Sequence, residues 1–218
     1  MNRAPNRLLA VSAAAFVLFS AAAGVGLFED MDRWALLASQ RVASGALDAL
    51  GSLFSLAGSL EVIGAALLSL LAVLFASGRG RLGGRILAAF IVTGIVELTL
   101  KFFLPTPPVP EATSRAADPT LLVALEHPFP YPSGHALRSV LLFGAVFVLW
   151  ENGFSRTVVV LGLAGMALSR VYLGVHWASD VIGGAILGIV GLAWVFKRSA
   201  ISGQPRTVVG SPREDDQT

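Results

Sequence analysis

The 218-residue sequence contains no cysteine and few charged residues, and both absences narrow its chemistry. Without cysteine the chain has no disulfide, no thiolate nucleophile and no cysteine-based metal site. Only 14% of its residues are charged, against about 25% in ordinary soluble domains. With 55% hydrophobic residues and a mean hydropathy of +0.73, it has too little polar surface to cover itself in water. The composition therefore predicts a membrane protein.

The excess of basic residues is small. The net charge is +2, and the sixteen Lys and Arg residues are scattered along the chain rather than gathered in one stripe. Nucleic-acid binding needs a concentrated basic surface, so this class of partner is disfavoured.

Six apolar runs approach or reach the length of about 20 residues that a helix needs to cross a bilayer. They cover residues 8–28, 60–76, 86–104, 133–150, 157–172 and 179–196. We therefore expect an all-α protein, a bundle of six transmembrane helices.

The remaining segments divide this bundle into parts. Residues 29–59 mix apolar and polar side chains, which favours one or two interfacial helices between the first two spans. Residues 1–28 would then be a first transmembrane helix of the signal-anchor type. Residues 60–198 would form the catalytic core, and the polar residues 199–218 a disordered cytoplasmic tail.

The distribution of cations between the loops predicts the orientation. Ten Lys and Arg residues lie on the side of the two termini, whereas the opposite loops contain only Arg33, Arg41 and Arg115. By the positive-inside rule both termini are cytoplasmic, in a multi-pass protein of the plasma (inner) membrane. The loop 105–132 then faces outward. It holds eight of the eleven prolines and is a candidate lid or binding loop.

Ionisable side chains within or beside apolar runs indicate a functional site, because charge at membrane depth is costly. Lys101, Arg138 and Arg170 have few acidic residues near them and so favour an anionic ligand. Guanidinium groups bind phosphate in bidentate fashion. Ser133 and Gly134 begin the fourth run, where the free N–H groups of a helix start also favour an anion. These five residues predict a phosphate-binding site.

Two histidines and an aspartate add the reactive groups. His176 precedes Asp180 by four residues, so the carboxylate can hold one ring nitrogen and leave the other as a nucleophile. His135 can donate a proton to a leaving group. The predicted topology brings all of these residues to the outward face. A cationic cradle, an oriented nucleophile and an acid describe phosphoryl transfer without a metal or other cofactor.

These residues resemble the signatures of the type 2 phosphatidic acid phosphatase (PAP2) superfamily, whose site is shared with the vanadium haloperoxidases. Pro-Ser-Gly-His is intact at 132–135, and Ser-Arg followed by His and Asp is intact within 169–180. The resemblance implies that His176 attacks phosphorus and forms a phosphohistidine, with Asp180 orienting it. It implies that His135 protonates the leaving oxygen and then activates water. It also implies a set of phosphate ligands: Lys101, Ser133, Gly134 and Arg170.

The first signature of the family, a Lys followed later by Arg-Pro, is incomplete. After Lys101, the position of the family's Arg is occupied by Pro108. Arg138 lies three residues after the histidine of the second signature, on the same helical face, and we expect it to replace the missing cation. Arg115 in the outer loop is the second candidate. Glu97, one turn before Lys101, is expected to position that lysine.

The predicted activity is hydrolysis of a lipid phosphate or diphosphate by a metal-independent membrane phosphatase. Two alternatives stay open: a lipid phosphotransferase on the same scaffold, and a non-catalytic lipid-phosphate binder or transporter. Haloperoxidase activity is disfavoured because those relatives are soluble. The expected partners are the substrate and the membrane lipids, with no nucleic acid and no obligate protein partner. Polyprenyl diphosphate, phosphatidic acid, phosphatidylglycerophosphate and a lipid A phosphate are the substrate classes left open.

Overall fold

The computed structural model describes residues 4–116, 128–150 and 153–197, and in these ranges the regular structure is helical. Eight α-helices follow one another: α1 (Ala4–Gly24), α2 (Glu29–Gln40), α3 (Gly45–Ala57), α4 (Leu60–Ala76), α5 (Gly80–Phe103), α6 (Gly134–Leu149), α7 (Gly153–Tyr172) and α8 (Ala178–Val195). A short 3₁₀ helix, Glu111–Thr113, lies between α5 and α6. The predicted all-α fold is confirmed.

The helix boundaries follow the apolar runs closely. The bounds of α4 are those predicted, and α6, α7 and α8 differ from their runs by a few residues. The first helix stops at Gly24, because the chain turns at Gly26, whose φ of 75° lies in the left-handed region that glycine adopts without strain. Hydropathy alone missed this stop, since the residues that follow are also apolar.

Two helices occupy the segment between the first two apolar runs. Ser44 caps α3 by accepting a hydrogen bond from the Leu47 N–H at 3.3 Å. Ser59 caps α4 in the same way, with the Val62 N–H at 3.3 Å. The helices α3 and α4 meet at a bend of 44°, where Ser59 caps the start of α4. The predicted helices in residues 29–59 are confirmed, and their location at the membrane interface stays a prediction.

The described helices differ in whether they are long and apolar enough to span a membrane. In the part of the chain that the structure describes, three helices are long and apolar enough to cross a membrane, namely α1, α5 and α8. The bent pair α3–α4 makes a fourth if it is one span. With 16 residues, α6 is about 24 Å long, less than the roughly 30 Å of a hydrocarbon core. The protein is a multi-pass membrane protein, and six spans stay a prediction.

The last helix, α8, lies between α1, α5 and α6. Its glycines permit a close approach to α6. A Cβ on Gly188 would lie 2.8 Å from the Cβ of Val140 and 2.9 Å from the carbonyl oxygen of Leu137. Gly184 packs against the carbonyl of Ser133 at the start of α6. Small residues at a helix crossing allow this contact, which holds the starts of α6 and α8 together.

The main apolar core lies toward the other end of the bundle. It joins α4, α5, α6 and α8 through buried aliphatic side chains, among them Ile63, Leu67, Leu70, Leu74, Ile86, Leu141 and Leu142. A smaller cluster of Phe16, Leu137 and Leu187 fastens α1 to α6 and α8. The end that contains the starts of α6 and α8 also holds buried polar residues, among them Ser133, His176 and Asp180.

In the proline-rich loop, the described residues 105–116 are fastened to the bundle. The Arg115 guanidinium donates two hydrogen bonds to the Asp48 carboxylate of α3, at 2.8 and 2.7 Å. The indole N–H of Trp177 donates to the carbonyl oxygen of Pro107 at 2.7 Å. These contacts place the loop beside the turn between α7 and α8.

Two predictions concern residues outside the described ranges. The remainder of the proline-rich loop includes His127, and the polar tail begins after residue 198. The lid and the disordered tail therefore stay predictions.

Candidate active site

The predicted site residues lie at the ends of helices at one end of the bundle. Lys101 is in the last turn of α5, and Arg170 is in the last turn of α7. Ser133 is the N-cap of α6, and Asp180 is in the first turn of α8. The main-chain N–H of Ser133 donates to the carbonyl oxygen of Asp180 at 2.9 Å. His176 lies in the turn that joins α7 to α8.

His176 and Asp180 form a buried pair. His176 Nδ1 lies 3.2 Å from Asp180 Oδ2, and the same oxygen accepts the main-chain N–H of Trp177 at 3.0 Å. The main-chain N–H of His176 donates to the carbonyl oxygen of Arg170 at 3.2 Å, so the turn orients the backbone as well as the ring. Because the carboxylate holds Nδ1, Nε2 is the ring nitrogen suited to act as a nucleophile.

Glu97 is a buried carboxylate among the cations. Arg138 Nη1 lies 2.9 Å from Glu97 Oε2, whereas Lys101 Nζ lies 3.9 Å from Glu97 Oε1. The sequence predicted Glu97 as the partner of Lys101, and Arg138 is the nearer cation because α6 packs against α5. Arg170 donates instead to the hydroxyl of Ser55 on α3. Nothing in the sequence spacing marked Ser55.

The start of α6 offers hydrogen-bond donors and little bulk. Ser133 is fully buried, and within the described residues its hydroxyl has no hydrogen-bond partner. A Cβ on Gly134 would lie 2.8 Å from Arg138 Nη1 and would also press against the Glu97 carboxylate. Glycine therefore lets the Arg138 side chain lie over the first turn. The free N–H groups and the helix dipole favour an anion at this place.

His135 lies in the same first turn, against the bend between α3 and α4. A Cβ on Gly58 would lie 3.2 Å from His135 Cδ2. The charges of Arg170, Arg138 and Lys101 all act on the His135 ring. The structure thus brings the predicted acid together with the three predicted cations, although they come from three different helices.

Asp32 of α2 supports the site and was not singled out from the sequence. The residue is 6% exposed. Its carboxylate accepts the main-chain N–H of Ser179 at 2.8 Å and the Ser179 hydroxyl at 2.6 Å. Burial raises the pKa of the Asp32 carboxyl, and the hydrogen bonds from Ser179 oppose this rise. Because Ser179 adjoins Asp180, Asp32 helps to fix the first turn of α8. Its partner is distant in the chain, so no local pattern reveals the contact.

Arg115, the second candidate for the missing cation, is engaged elsewhere. Its guanidinium is bonded to Asp48 and lies 5.8 Å from the ring centroid of Tyr172. The hydrogen bonds to Asp48 raise the pKa of Arg115 above its usual range. The cation beside Gly134 is Arg138.

A cavity of about 320 Å³ opens beside Asp180. Its walls are the α1–α2 turn, one face of α2, the prolines that follow α5, and Trp177. Most of these walls are apolar, and the exceptions include Asp32 and Arg33. The size and character of the cavity suit an apolar group, and of the predicted site residues it is Asp180 that lines it.

The charge of the cluster suits an anion. The three cations Lys101, Arg138 and Arg170 outnumber the two carboxylates Glu97 and Asp180 whose charges act on Lys101. Within the described ranges, no group of three or more His, Asp or Glu side chains is placed to hold a metal ion.

Named relatives match short parts of the chain. An undecaprenyl-diphosphatase of Sulfolobus acidocaldarius is 44% identical over 63 residues, which are 28% of this chain and 29% of that protein. Phosphatidylglycerophosphatase B of Bacillus subtilis is 31% identical over 74 residues, which are 30% of this chain and 36% of that protein. These alignments leave most of each relative unmatched.

Two solved structures share the fold. A transmembrane PAP2-type phosphatidylglycerolphosphate phosphatase from Bacillus subtilis superimposes with a TM-score of 0.69 at 20% identity, over 89% of this chain and 94% of that chain. LpxE of Aquifex aeolicus superimposes with a TM-score of 0.55 at 25% identity, over 72% and 90%. The sequence pattern of the PAP2 superfamily matches residues 82–202, more than half of the chain. The protein therefore belongs to the PAP2 superfamily.

Proposed function

We propose that this protein is a membrane lipid phosphatase that hydrolyses a lipid phosphate or diphosphate through a phosphohistidine on His176. The observation that carries the proposal is the His176–Asp180 pair, 3.2 Å apart, at the end of the bundle where the charges of Lys101, Arg138 and Arg170 act on His135. Such a cluster binds phosphate, and the pair supplies a nucleophile next to it.

In the first step, His176 Nε2 attacks phosphorus, and the bond between phosphorus and the leaving oxygen breaks. Asp180 accepts the hydrogen bond of Nδ1–H and stabilises the positive charge that develops on the ring. His135 gives a proton to the leaving oxygen. The products are the dephosphorylated lipid, or a lipid monophosphate from a diphosphate, and a phosphohistidine.

In the second step, the now neutral His135 takes a proton from water. The hydroxide that forms attacks phosphorus, and the bond between phosphorus and His176 Nε2 breaks. Inorganic phosphate leaves and both histidines return to their starting states. The same residue serves as acid and then as base, as microscopic reversibility requires.

The phosphate oxygens are held by Lys101, Arg138 and Arg170, by the Ser133 hydroxyl and by the first N–H groups of α6. The negative charge on these oxygens is redistributed during transfer, and donors fixed in advance stabilise it without reorganisation. Loss of a single donor of this kind typically costs about 3 kcal/mol of transition-state stabilisation.

The substrate class rests on the cavity and on the relatives. The apolar cavity beside Asp180 suits the lipid part of a substrate. The similar proteins are named for undecaprenyl diphosphate and phosphatidylglycerophosphate, both of which join a phosphate to an apolar anchor. A polyprenyl diphosphate or a glycerolipid monophosphate is the proposed substrate.

The orientation is part of the proposal. Both termini would be cytoplasmic, and the site would face outward from the plasma (inner) membrane. The support is the excess of Lys and Arg on the side of the termini. In the described bundle, Lys101 and Arg170 lie at the ends of α5 and α7 that point away from that side.

Phosphate release from a panel of lipid phosphates, by detergent-purified protein in EDTA, tests the activity. Wild type is compared with His176→Ala and with Ser69→Ala, which removes an exposed hydroxyl on α4. Release by wild type and Ser69→Ala, but not by His176→Ala, is expected. Equal release by His176→Ala would contradict the phosphohistidine. Transfer of phosphate to another lipid would identify a phosphotransferase, and binding without turnover would identify a binder.

A further inference from the structure

Glu97 places a negative charge inside a site that binds phosphate under the proposed function. Its side chain is 6% exposed and lies one turn before Lys101 on α5. A carboxylate close to a phosphate repels it and weakens its binding. A charge at this place therefore needs another explanation. Filling the interior would not require a charge, because an apolar side chain fills it at lower cost.

The distances identify the side chain on which Glu97 acts. Arg138 Nη1 donates to Glu97 Oε2 at 2.9 Å, a charge-assisted hydrogen bond. Lys101 Nζ lies 3.9 Å from the other carboxylate oxygen, at the outer limit of an ion pair. Coulombic attraction and hydrogen bonding both favour the shorter contact. Glu97 therefore restrains Arg138 more strongly than Lys101.

Arg138 is held over the first turn of its own helix. A Cβ on Gly134 would lie 2.8 Å from Nη1 and 2.5 Å from Nη2, so both nitrogens lie against the α6 start. Helical side chains point toward the N-terminus of their helix, and Arg138 follows this direction. Without a partner, a long guanidinium side chain would sample several rotamers there.

We propose that Glu97 is a positioning residue that holds Arg138 over the start of α6, so that Arg138 supplies the phosphate-binding cation absent from position 108. The inference rests on the proposed function and concerns the same site. Glu97 acts through Arg138 and does not contact the substrate.

A double-mutant cycle tests the inference. kcat and KM are measured for wild type, Glu97→Ala, Arg138→Met and the double variant, with the lipid phosphate that wild type hydrolyses fastest. Misplacing a binding group costs on the order of a hundredfold, so we expect Glu97→Ala and Arg138→Met each to lose about that factor in kcat/KM. The double variant is expected to be no worse than Arg138→Met. Glu97→Gln keeps an oxygen that accepts from Arg138 and is expected to recover most of the activity.

Thr93→Ala is the matched control, because Thr93 is a buried polar residue one turn before Glu97 and bonds only the carbonyls of its own helix in the described contacts. It is expected to retain wild-type kcat/KM.

A Glu97→Ala variant that leaves Arg138 unpaired can fail to fold. In that case Arg138→Met is compared with the double variant Glu97→Gln/Arg138→Met, and equal activity is expected. Three results overturn the inference: wild-type activity in Glu97→Ala, losses that multiply in the double variant, or a Glu97→Gln as inactive as Glu97→Ala.

The failure of the proposed function has a different signature. Wild type itself would then release no phosphate from any lipid. In that case the same variants are compared for binding of inorganic phosphate by calorimetry. The same order of affinities is expected, and equal affinities would overturn the role of Glu97.

Discussion

The main-chain N–H of Ser133 bonds the carbonyl oxygen of Asp180 at 2.9 Å, and this bond ties the start of α6 to the start of α8. The first of these helices presents the N–H groups that we propose bind phosphate, and the second holds the carboxylate that bonds the His176 ring. Gly184 lets the two backbones approach at the same place. The proposed nucleophile and the proposed phosphate site are thus positioned by one helix contact, as a preorganised site requires.

Replacement of Asp180 by asparagine tests the orientation of the nucleophile. A side-chain amide that donated to Nδ1 would favour the wrong tautomer of His176, so we expect kcat to fall on the order of 10³–10⁴-fold with KM little changed. Steady-state phosphate release measures this. Asp30→Asn, which alters an exposed acid on α2, is the control and should match wild type. A loss below tenfold in Asp180→Asn would remove Asp180 from its proposed role.

Gly134→Ala tests the crowding at the start of α6. The added methyl group would displace the Arg138 guanidinium and the Glu97 carboxylate, so kcat/KM should fall by about a hundredfold. Gly94→Ala on α5 is the matched control, because a Cβ there meets nothing within 4 Å. It should keep full activity and gain about 0.5–1 kcal/mol of stability from the better helix propensity of Ala. Equal activities of the two variants would contradict the arrangement.

Asp32→Ala tests the contact between α2 and α8. The variant leaves the N–H and hydroxyl of the buried Ser179 without their acceptor, which should lower the free energy of unfolding by about 1–3 kcal/mol. Unfolding of the detergent-solubilised protein, followed by circular dichroism, measures this loss. Asp32→Asn retains an acceptor oxygen and should lose less. If both variants are as stable as wild type, the contact does not hold α8.

Asp32 should also contribute to the pH dependence of the protein's stability. Burial raises its pKa in the folded protein above the ordinary value of 3.8. The folded state therefore binds the proton more tightly, so this contribution to stability is complete below pH 3.8 and is lost as the pH rises through the raised pKa. Chemical unfolding at a series of pH values measures this effect. In this pH range the free energy of unfolding of Asp32→Asn should change less with pH than that of wild type. An unchanged slope would show that Asp32 is not the group responsible.

The absence of cysteine makes the orientation directly measurable, since every introduced thiol is unique. Ser114→Cys lies in the exposed loop between α5 and α6, and Ser77→Cys lies in the exposed turn between α4 and α5. A membrane-impermeant maleimide added to intact cells should label Ser114→Cys alone, and permeabilised cells should label both. The reverse pattern in intact cells would invert the proposed topology.

Much of the site could be predicted because its residues are close together along the chain. His176 and Asp180 are four residues apart, so the turn that leads into α8 brings them into contact locally. Gly134 and His135 follow a serine N-cap at the start of an apolar run, which local rules identify. The contacts that local rules missed are Asp32 with Ser179 and Ser55 with Arg170, since their partners come from helices far apart in sequence.

The sequence by itself determined that most of this protein is surrounded by lipid, which segments are helical, and which reactive groups the chain contains. Apolar runs of about twenty residues lie in the bilayer core, where no water is present to bond the backbone and a helix satisfies its own N–H and C=O groups. Composition and hydropathy are therefore sufficient to predict these helices. The tertiary structure decided which charge lies nearest to Glu97. Lys101, four residues further along the same helix, lies 3.9 Å away, as the sequence spacing predicted. Arg138 lies closer, at 2.9 Å, because the packing of α5 against α6 sets that distance and no sequence spacing encodes it.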